Sequence, residues 1–351
     1  MNPADAVPPR WGTDPFARMQ RGAMIHALTP RPPVGLTPYR VIHRQDKLEV
    51  RYYAPVGAGG GAPLVLVPSM INRSYILDLE PDRSLVAAMA AAGHPVYLVD
   101  WGVPGPEDAQ EDVGYVVLEL LHRSMDRICR HARVRSAFLL GYCQGGTLAA
   151  MYAALRPGLV RGLVALNTPV SFADGGRFRT FVAAEVFDVA RNFDADGLVP
   201  TSIMRPGFQM LDPVGSWTKF GAVDAAADDP SQLRRVLARE RWLEENVPVA
   251  GAFAQEFVAN SYQTDRLLAG TWSLRGESVR LGRIVAPLLL VCCARDFICP
   301  PEAALPLADA VGSVDKEVHT LPCGHIGVVV GAEGPRRFYP LLDAWLRRVA
   351  A

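Results

Sequence analysis

The sequence has no net charge, because 36 lysines and arginines balance 36 aspartates and glutamates among its 351 residues. A chain without excess positive charge gives no reason to expect a nucleic-acid partner or a polybasic attachment to anionic lipid. Long hydrophobic runs are also missing. The most apolar tract, residues 84–103, is broken by Gly93, Pro95 and Asp100, whereas a membrane span needs roughly 20 uninterrupted apolar residues. We therefore expect a protein that binds no nucleic acid and is not transmembrane.

A secretory leader and paired metal-binding cysteines are missing as well. Residues 1–16 contain no basic stretch followed by an apolar run, so no signal peptide is expected. No two cysteines have the C-x-x-C spacing of a zinc site, which predicts no metal and a reducing, cytoplasmic compartment. The cysteines are Cys129, Cys143, Cys292, Cys293, Cys299 and Cys323.

Segments with different patterns follow one another along the chain. Residues 1–35 are rich in Pro, Arg and Gly and are predicted to form an extended arm. Residues 36–171 and 276–351 alternate short apolar strands with helical patterns, after a hairpin predicted to turn near Asp46. This alternation is typical of an α/β fold, a mostly parallel sheet with helices on both faces. Residues 172–275 show no buried strand but carry aromatic residues at helix-like spacings, and are predicted to be an inserted, mainly helical cap.

The segment GYCQG at residues 141–145 is the most informative in the chain. It joins a buried strand, predicted over 137–142, to a helix. This is the nucleophile-elbow pattern of the α/β-hydrolase fold, with cysteine in place of serine. The turn lifts Cys143 above the sheet at a helix N-terminus, where the dipole and free amides favour a thiolate. Elsewhere a free cysteine is usually a small buried hydrophobe, but the flanking glycines favour Cys143 as a nucleophile.

The base and its acid partner should follow the nucleophile in the order acid, then histidine. Only His319 and His325 come after the predicted cap. His319 lies within a strand-like run, whereas His325 lies in a glycine-flanked loop just beyond it and is predicted to be the base. Asp296 follows the preceding strand and is predicted to orient His325. Alternatively, Asp296 caps a helix or pairs with Arg295.

An acyl-transfer site also needs backbone donors for the oxyanion that forms in the reaction. The first is predicted to be the amide of Gln144, directly after the nucleophile. The second should come from the loop after the strand at 64–67, where Met70 and Ile71 are the candidates. No substrate-binding side chains are assigned.

A family resemblance runs from about Gly35 to the C-terminus. It is carried by TPYRVIHRQDKLEVRYYAP, VPSMINRSYILDLEPDRSLV, GHPVYLVDWG, LLGYCQGG, LNTPVSF and PCGHIG. Together these segments resemble the polyhydroxyalkanoate synthases. The likeness is to the shorter catalytic subunits of the two-subunit classes (class III/IV), because the chain has no room for the large N-terminal domain of the longer enzymes.

The resemblance implies an acyltransferase that polymerises 3-hydroxyacyl-coenzyme A thioesters into polyester such as poly(3-hydroxybutyrate). Cys143 would carry the acyl group, Asp296 and His325 would complete the triad, and coenzyme A would be released. No cofactor is implied, since the coenzyme A thioester is the substrate. The resemblance also implies a homodimer, a smaller partner synthase subunit and a polyester granule surface as the working site.

Two departures from the family pattern affect the surroundings of the triad. Phe297 stands where the family usually has His after the triad Asp, and Cys323-Gly324 replaces a glycine pair before the triad His. A Cys-dependent hydrolase (a thioesterase, esterase or polyester depolymerase) is the alternative function, because the same triad serves both reactions. A granule-associated subunit without activity is disfavoured by the intact elbow. Cys299 and Cys323 are predicted to be bystanders.

Overall fold

A computed structural model describes the backbone of residues 14–57, 60–211 and 213–351, and their side chains except at 208 and 213–217. The strands are β1 (Arg40–Gln45), β2 (Leu48–Tyr53), β3 (Leu64–Val67), β4 (Val96–Asp100), β5 (Ala137–Tyr142), β6 (Val160–Leu166), β7 (Leu198–Val199), β8 (Val249–Ala250), β9 (Ser273–Leu274), β10 (Glu277–Ser278), β11 (Leu288–Cys293) and β12 (Lys316–Leu321). The described residues contain an eight-stranded sheet in the order β1-β2-β4-β3-β5-β6-β11-β12. β2 is antiparallel to β1 and β4, and the remaining pairs are parallel.

The α-helices alternate with the strands of this sheet and fill the segment between β6 and β11. They are α1 (Pro15–Leu28), α2 (Leu85–Ala91), α3 (Val113–Tyr115), α4 (His122–Ala132), α5 (Gln144–Leu155), α6 (Gly176–Phe181), α7 (Thr201–Leu211), α8 (Pro213–Ala226), α9 (Pro230–Glu244), α10 (Gly251–Val258), α11 (Pro301–Ala304), α12 (Pro306–Ala310), α13 (Gly327–Val330) and α14 (Tyr339–Ala350). Turns of π-helix occur at Val116–Leu121, Ala259–Gln263 and Gly334–Phe338. Turns of 3-10 helix occur at Ser74–Leu77, Pro81–Arg83, Pro106–Asp108, Pro157–Leu159, Val189–Asn192 and Leu281–Arg283.

The central strands β3, β5 and β11 are buried on both faces, which explains their continuous apolar runs. On β3, Val65 and Val67 pack with residues of α4 and α5 on one face. Leu64 and Leu66 point to the other face and pack with residues of α2 and α14. The predicted fold class, a mostly parallel sheet covered on both sides, is confirmed. No helix within the described ranges is long and apolar enough to cross a membrane.

The predicted hairpin is also confirmed. Gln45 pairs with Leu48 across the β1–β2 turn, and Asp46 takes a left-handed conformation with φ 52°. Asp tolerates this region better than most residues, because its short polar side chain can bond locally. The hairpin therefore forms the antiparallel edge of the sheet.

The extended arm predicted for residues 1–35 is wrong over Pro15–Leu28, which form α1. The Asp14 side chain caps this helix by accepting a hydrogen bond from the Ala17 amide at 3.0 Å. Pro15 occupies the first helical position, where its fixed φ suits the helix and no N–H is needed. Residues 1–13 lie outside the described part of the chain.

Helix α1 is held in place by packing on α8. A side chain at Gly22 would bring a Cβ within 1.8 Å of the Phe220 carbonyl oxygen, so only glycine allows this approach. Arg18 and Arg21 both pair with the Asp224 carboxylate, Arg18 at 2.9 Å. The composition of residues 1–35 predicts an extended arm because it does not reveal the contact with α8.

The segment between β6 and β11 carries the helices α6 to α10. Short antiparallel pairs, β7 with β8 and β9 with β10, accompany these helices. The aromatic rings of Phe253, Phe257 and Trp272 belong to the same buried cluster as α5 and one face of the sheet. The division of residues 172–275 into a separate cap stays a prediction.

Candidate active site

Cys143 lies between the last residue of β5 and the first residue of α5, with φ 56° and ψ −129°. A non-glycine residue in this region carries strain of about 1–3 kcal/mol, which persists only where the surroundings impose it. The Cys143 amide donates to the Leu166 carbonyl at 3.0 Å, which extends the β5–β6 ladder to the turn. The side chain is half-buried. The strand-to-helix turn thus presents the thiol at the C-terminal edge of the sheet.

The glycines after Cys143 let α5 approach the rest of this edge. A Cβ at Gly145 would lie 2.2 Å from the Val67 carbonyl oxygen, and one at Gly146 would lie 1.8 Å from Thr168 Oγ1. Neither neighbour is the end of a long flexible side chain, so neither can move away at low cost. The sequence pattern of the elbow is therefore a steric requirement of this packing.

Asp296 and His325 come together from the loops that follow β11 and β12. Asp296 Oδ2 and His325 Nδ1 are 2.6 Å apart, and both residues are buried, at 4% and 7% exposure. The other oxygen, Oδ1, accepts hydrogen bonds from the amides of Ile298 and Cys299, each at 2.9 Å. The alternative pairing of Asp296 with Arg295 is not what the structure shows, since both carboxylate oxygens have these other partners.

The protonation of His325 reflects its two neighbours. Burial opposes a charge on the imidazole, but the Asp296 carboxylate and the Cys143 thiol group outweigh it and raise the pKa of His325 to about 10. Both side chains also hydrogen-bond to the ring. The geometry therefore favours an imidazolium placed between a carboxylate and the sulfur, the arrangement that activates a cysteine nucleophile.

Two residues that the sequence did not single out hold His325 in position. Its backbone carbonyl accepts hydrogen bonds from Asn167 Nδ2 at 3.0 Å and from the Tyr142 hydroxyl at 3.2 Å. The Tyr142 ring also stacks on the imidazole, with centroids 5.2 Å apart. Both residues stand at the ends of central strands, and this position is the signal that could have identified them.

The predicted oxyanion donors lie at the same edge. The amide of Gln144 begins α5, and the first amides of a helix have no partner within the helix. Met70 donates its amide to Gln144 Oε1 at 3.1 Å, whereas the Ile71 amide makes only a long contact of 3.4 Å to Ser69 Oγ. Trp101 Nε1 fixes the start of this loop by donating to the Pro68 carbonyl at 2.9 Å. The choice between Met70 and Ile71 stays a prediction.

The side chains that depart from the family pattern occupy different surroundings. Phe297, directly after Asp296, is 41% exposed. Cys323 is buried, and its sulfur lies 3.2 Å from that of Cys293. His319 lies on β12 within 3.4 Å of Glu317, in agreement with a structural role. In the described ranges no group of His, Cys, Asp and Glu side chains could hold a metal ion.

The sheet order and the elbow cysteine, with an acid and a histidine after the next strands, define an α/β-hydrolase-fold protein. The family model of the alpha/beta hydrolase fold matches residues 62–332. Among solved structures, a thermophilic esterase from Thermogutta terrifontis superposes with a TM-score of 0.52 at 16% identity. The match covers 90% of this chain and 100% of that one. At this identity the likeness shows the fold alone.

A narrower family follows from sequence comparison. A model of the poly-beta-hydroxybutyrate polymerase (PhaC) N-terminus matches residues 31–89. The poly(3-hydroxyalkanoate) polymerase subunit PhaC of Allochromatium vinosum is 31% identical over 316 residues, 89% of each chain. That of Haloferax mediterranei is 33% identical over 315 residues, 89% of this chain and 64% of the relative. The chain belongs to the family of poly(3-hydroxyalkanoate) polymerase PhaC subunits.

Proposed function

We propose that this chain is an acyltransferase that polymerises 3-hydroxyacyl-coenzyme A into poly(3-hydroxyalkanoate), with Cys143, His325 and Asp296 as its catalytic triad. The observation that carries the proposal is the buried Asp296–His325 pair at 2.6 Å beside an elbow cysteine, in a chain from this polymerase family. The reaction uses the coenzyme A thioester as substrate and needs no cofactor.

In the first half-reaction the Cys143 thiolate attacks the thioester carbonyl carbon. The new C–S bond to Cys143 forms a tetrahedral oxyanion, which the amides of Gln144 and of Met70 or Ile71 stabilise. The oxyanion collapses, the C–S bond to coenzyme A breaks, and the departing thiolate takes the proton from the His325 imidazolium. Because one thioester replaces another, the acyl-enzyme keeps the reactivity that the next step needs.

In the second half-reaction neutral His325 removes the proton from the 3-hydroxyl of the growing chain or of an incoming monomer. The hydroxyl oxygen attacks the acyl-cysteine, an ester bond forms, and the Cys143 thiolate is released beside the reprotonated imidazole. Asp296 fixes the ring through Nδ1, so that Nε2 handles the proton. Each cycle extends the polyester by one unit and releases one coenzyme A.

An aromatic wall beside the thiol supports transfer to a hydroxyl instead of water. The ring of Tyr262 makes edge contacts with Phe172 and Phe178, with centroids 4.8 Å apart in each case. Burial, together with the Cys143 thiol group nearby, raises the pKa of Tyr262 well above its usual value. An apolar wall in this position limits water near the acyl-enzyme.

The family also supports proposals about assembly. The relatives are described as subunits, so we propose that this chain works with a smaller partner subunit and as a homodimer. The absence of net charge leaves self-association unopposed by charge repulsion. We further propose a cytoplasmic site of action at the surface of polyester granules, where product and enzyme meet.

The test is to give the purified chain 3-hydroxybutyryl-coenzyme A, and to measure free thiol and sedimentable polyester together. We expect both products, and expect Cys143→Ala to abolish both. Cys129→Ala is the matched control, since Cys129 is a buried thiol of α4 without a place in the triad, and it should keep the activity. Thiol release with only free 3-hydroxybutyrate would instead establish the Cys-dependent hydrolase.

A further inference from the structure

Cys293 and Cys323 form a pair of free thiols directly beneath the triad loops. Cys293 is the last residue of β11, and Cys323 is the second residue after β12, the neighbouring parallel strand. Their sulfurs are 3.2 Å apart, and their exposures are 0% and 4%. Asp296 follows the first thiol by three residues, and His325 follows the second by two. Each thiol therefore lies at the base of a loop that carries a triad residue.

The two thiols have different electrostatic surroundings. The hydrogen bond shared with Cys293, assisted by the positive charge of Arg295, lowers the pKa of the Cys323 thiol despite its burial. The same hydrogen bond, together with burial, raises the pKa of Cys293. The thiolate is the reactive form of cysteine. Whichever sulfur reacts first with an oxidant, the other lies 3.2 Å away and is placed to react with the product.

The loops are also tied to each other around the pair. The Arg295 amide donates to the Cys323 carbonyl at 3.0 Å, and Arg295 Nη2 donates to the Pro322 carbonyl at 2.7 Å. Asn167 hydrogen-bonds to Cys293 and, through Nδ2, to the His325 carbonyl. A movement of either sulfur is thus transmitted to the segments that hold Asp296 and His325.

We propose that Cys293 and Cys323 are an oxidation site, which a small peroxide converts into a disulfide and thereby displaces the triad loops. One thiol of the pair gives up its proton and its sulfur attacks one peroxide oxygen, the O–O bond breaks, and the departing hydroxide takes that proton, so that a sulfenic acid and one water result. The second thiol then attacks the sulfenic sulfur, the S–S bond forms, and the sulfenic oxygen leaves with the proton of the second thiol as a second water. Both sulfurs are oxidised, and one peroxide is reduced to two waters.

Closing the bond requires a real movement. A disulfide has its sulfurs about 2.05 Å apart with a restricted dihedral angle, whereas the free sulfurs stand at 3.2 Å. The sulfurs must therefore approach each other by about 1.1 Å, an amount comparable with the precision that the Asp296–His325 contact demands. A misplacement of roughly 1 Å at a catalytic site can lower a rate on the order of 100-fold. This consequence for catalysis rests on the proposed function.

The bond itself is tested in the full chain with Cys143→Ala, so that the elbow thiol cannot react. The folded protein is treated with hydrogen peroxide, its remaining thiols are alkylated after unfolding, and tryptic peptides are analysed by mass spectrometry. We expect residues 284–295 to be linked to residues 317–336, with the loss of two hydrogen atoms. The first peptide also contains Cys292, whose side chain points to the opposite face of the sheet.

Cys292→Ser is therefore the matched control for Cys293→Ser. The link should persist in the first variant and vanish in the second. If both peptides carry only alkylated cysteine after peroxide treatment, or if the link survives Cys293→Ser, the oxidation site is wrong. None of these results depends on enzymatic activity, so they remain decisive even if the reduced chain releases no coenzyme A.

The effect on the triad is tested by coenzyme A release in peroxide-treated protein with Cys143 intact. Oxidation of Cys143 itself lowers the rate in every variant, so the comparison is between the wild type and Cys323→Ser or Cys293→Ser. We expect the wild type to lose at least tenfold more activity than either variant, and a dithiol reductant to restore that difference. Equal losses in all three proteins would overturn the coupling between the disulfide and the triad.

Discussion

The side-chain oxygen of Gln144 accepts a hydrogen bond from the Met70 amide at 3.1 Å, and so joins the residue after the nucleophile to the loop after β3. The Ser69 hydroxyl makes a longer contact of 3.4 Å with the same oxygen. This link fixes the loop that is predicted to supply the second oxyanion donor. It also engages the Met70 amide, so that Ile71 is left as the more available of the two predicted donors.

Replacing Gln144 with Met removes the acceptor oxygen and keeps a side chain of similar length. We expect kcat for coenzyme A release to fall by about tenfold with little change in KM, because preorganised oxyanion donors act chiefly on the transition state. Steady-state kinetics with 3-hydroxybutyryl-coenzyme A gives both constants. An increase in kcat would instead show that Gln144 blocks the Met70 amide and that Met70 is the donor.

Asp296→Asn keeps the shape of the acid but removes its charge. An amide can hold the wrong tautomer of the imidazole and cannot stabilise an imidazolium, so we expect the rate to fall by a factor on the order of 10³. Asp309→Asn, a change on α12 outside the triad, serves as the charge-matched control and should leave the rate within about twofold. A rate for Asp296→Asn close to that of the control would remove Asp296 from the triad.

The raised pKa of His325 makes the stability of the fold depend on pH. Its folded-state pKa of about 10 exceeds the value of 6.5 for a free histidine. Protonated His325 therefore contributes stability that is complete below pH 6.5 and is lost as the pH rises toward 10. We expect urea unfolding to show that the wild type loses more stability than Asp296→Asn across this interval. Parallel curves for the two proteins would contradict the raised pKa.

Two substitutions test the hydrogen bonds that the His325 carbonyl accepts, and they should differ in their effect on stability. Asn167→Ala removes the hydrogen bond of 3.0 Å and should lower the free energy of unfolding by about 1–3 kcal/mol, because a buried acceptor loses a partner. Tyr142→Phe removes the longer hydrogen bond but keeps the stacked ring, so a loss of about 1 kcal/mol is expected. Chemical denaturation measures both. A larger loss for Tyr142→Phe would show that Tyr142, and not Asn167, is the main support of the His325 carbonyl.

The close packing at Gly145 predicts that alanine destabilises the fold there much more than at an open glycine position. Gly145→Ala places a Cβ 2.2 Å from the Val67 carbonyl oxygen and should destabilise the fold by about 3 kcal/mol, because backbone atoms would have to move. Gly158→Ala is the matched control, since no atom lies within 4 Å of its added Cβ. Urea midpoints of the two variants test this, and similar midpoints would argue against the close packing of α5.

The sheet and the meeting of Asp296 with His325 could be predicted because their signals are local. Apolar runs marked the central strands, and the glycines around Cys143 marked the elbow. The order of acid and histidine along the chain then selected Asp296 and His325. The support from Asn167 could not be predicted in the same way, because its contact with the His325 carbonyl spans 158 residues. The contact between Cys293 and Cys323 could not be predicted either, because it joins residues 30 positions apart. The sequence alone predicts Cys323 to be a bystander.

The error at the N-terminus has a different origin. Pro and Gly in residues 1–35 suggested an arm, yet Asp14 and Pro15 together are a good helix start. Gly22 disfavours a helix in isolation, but it is what allows α1 to touch the Phe220 backbone. The unfavourable helix propensity of Gly22 is thus overridden by its contact with α8, which no local pattern in the sequence reveals.

The seating of α1 on α8 has a mechanical consequence for the segment between β6 and β11. Helix α1 is joined to α8 through the Arg18 and Arg21 pairs with Asp224. Outward motion of α8 would therefore either drag α1 with it or rupture two ion pairs. The position of α8 is thus coupled to that of a helix far earlier in the sequence.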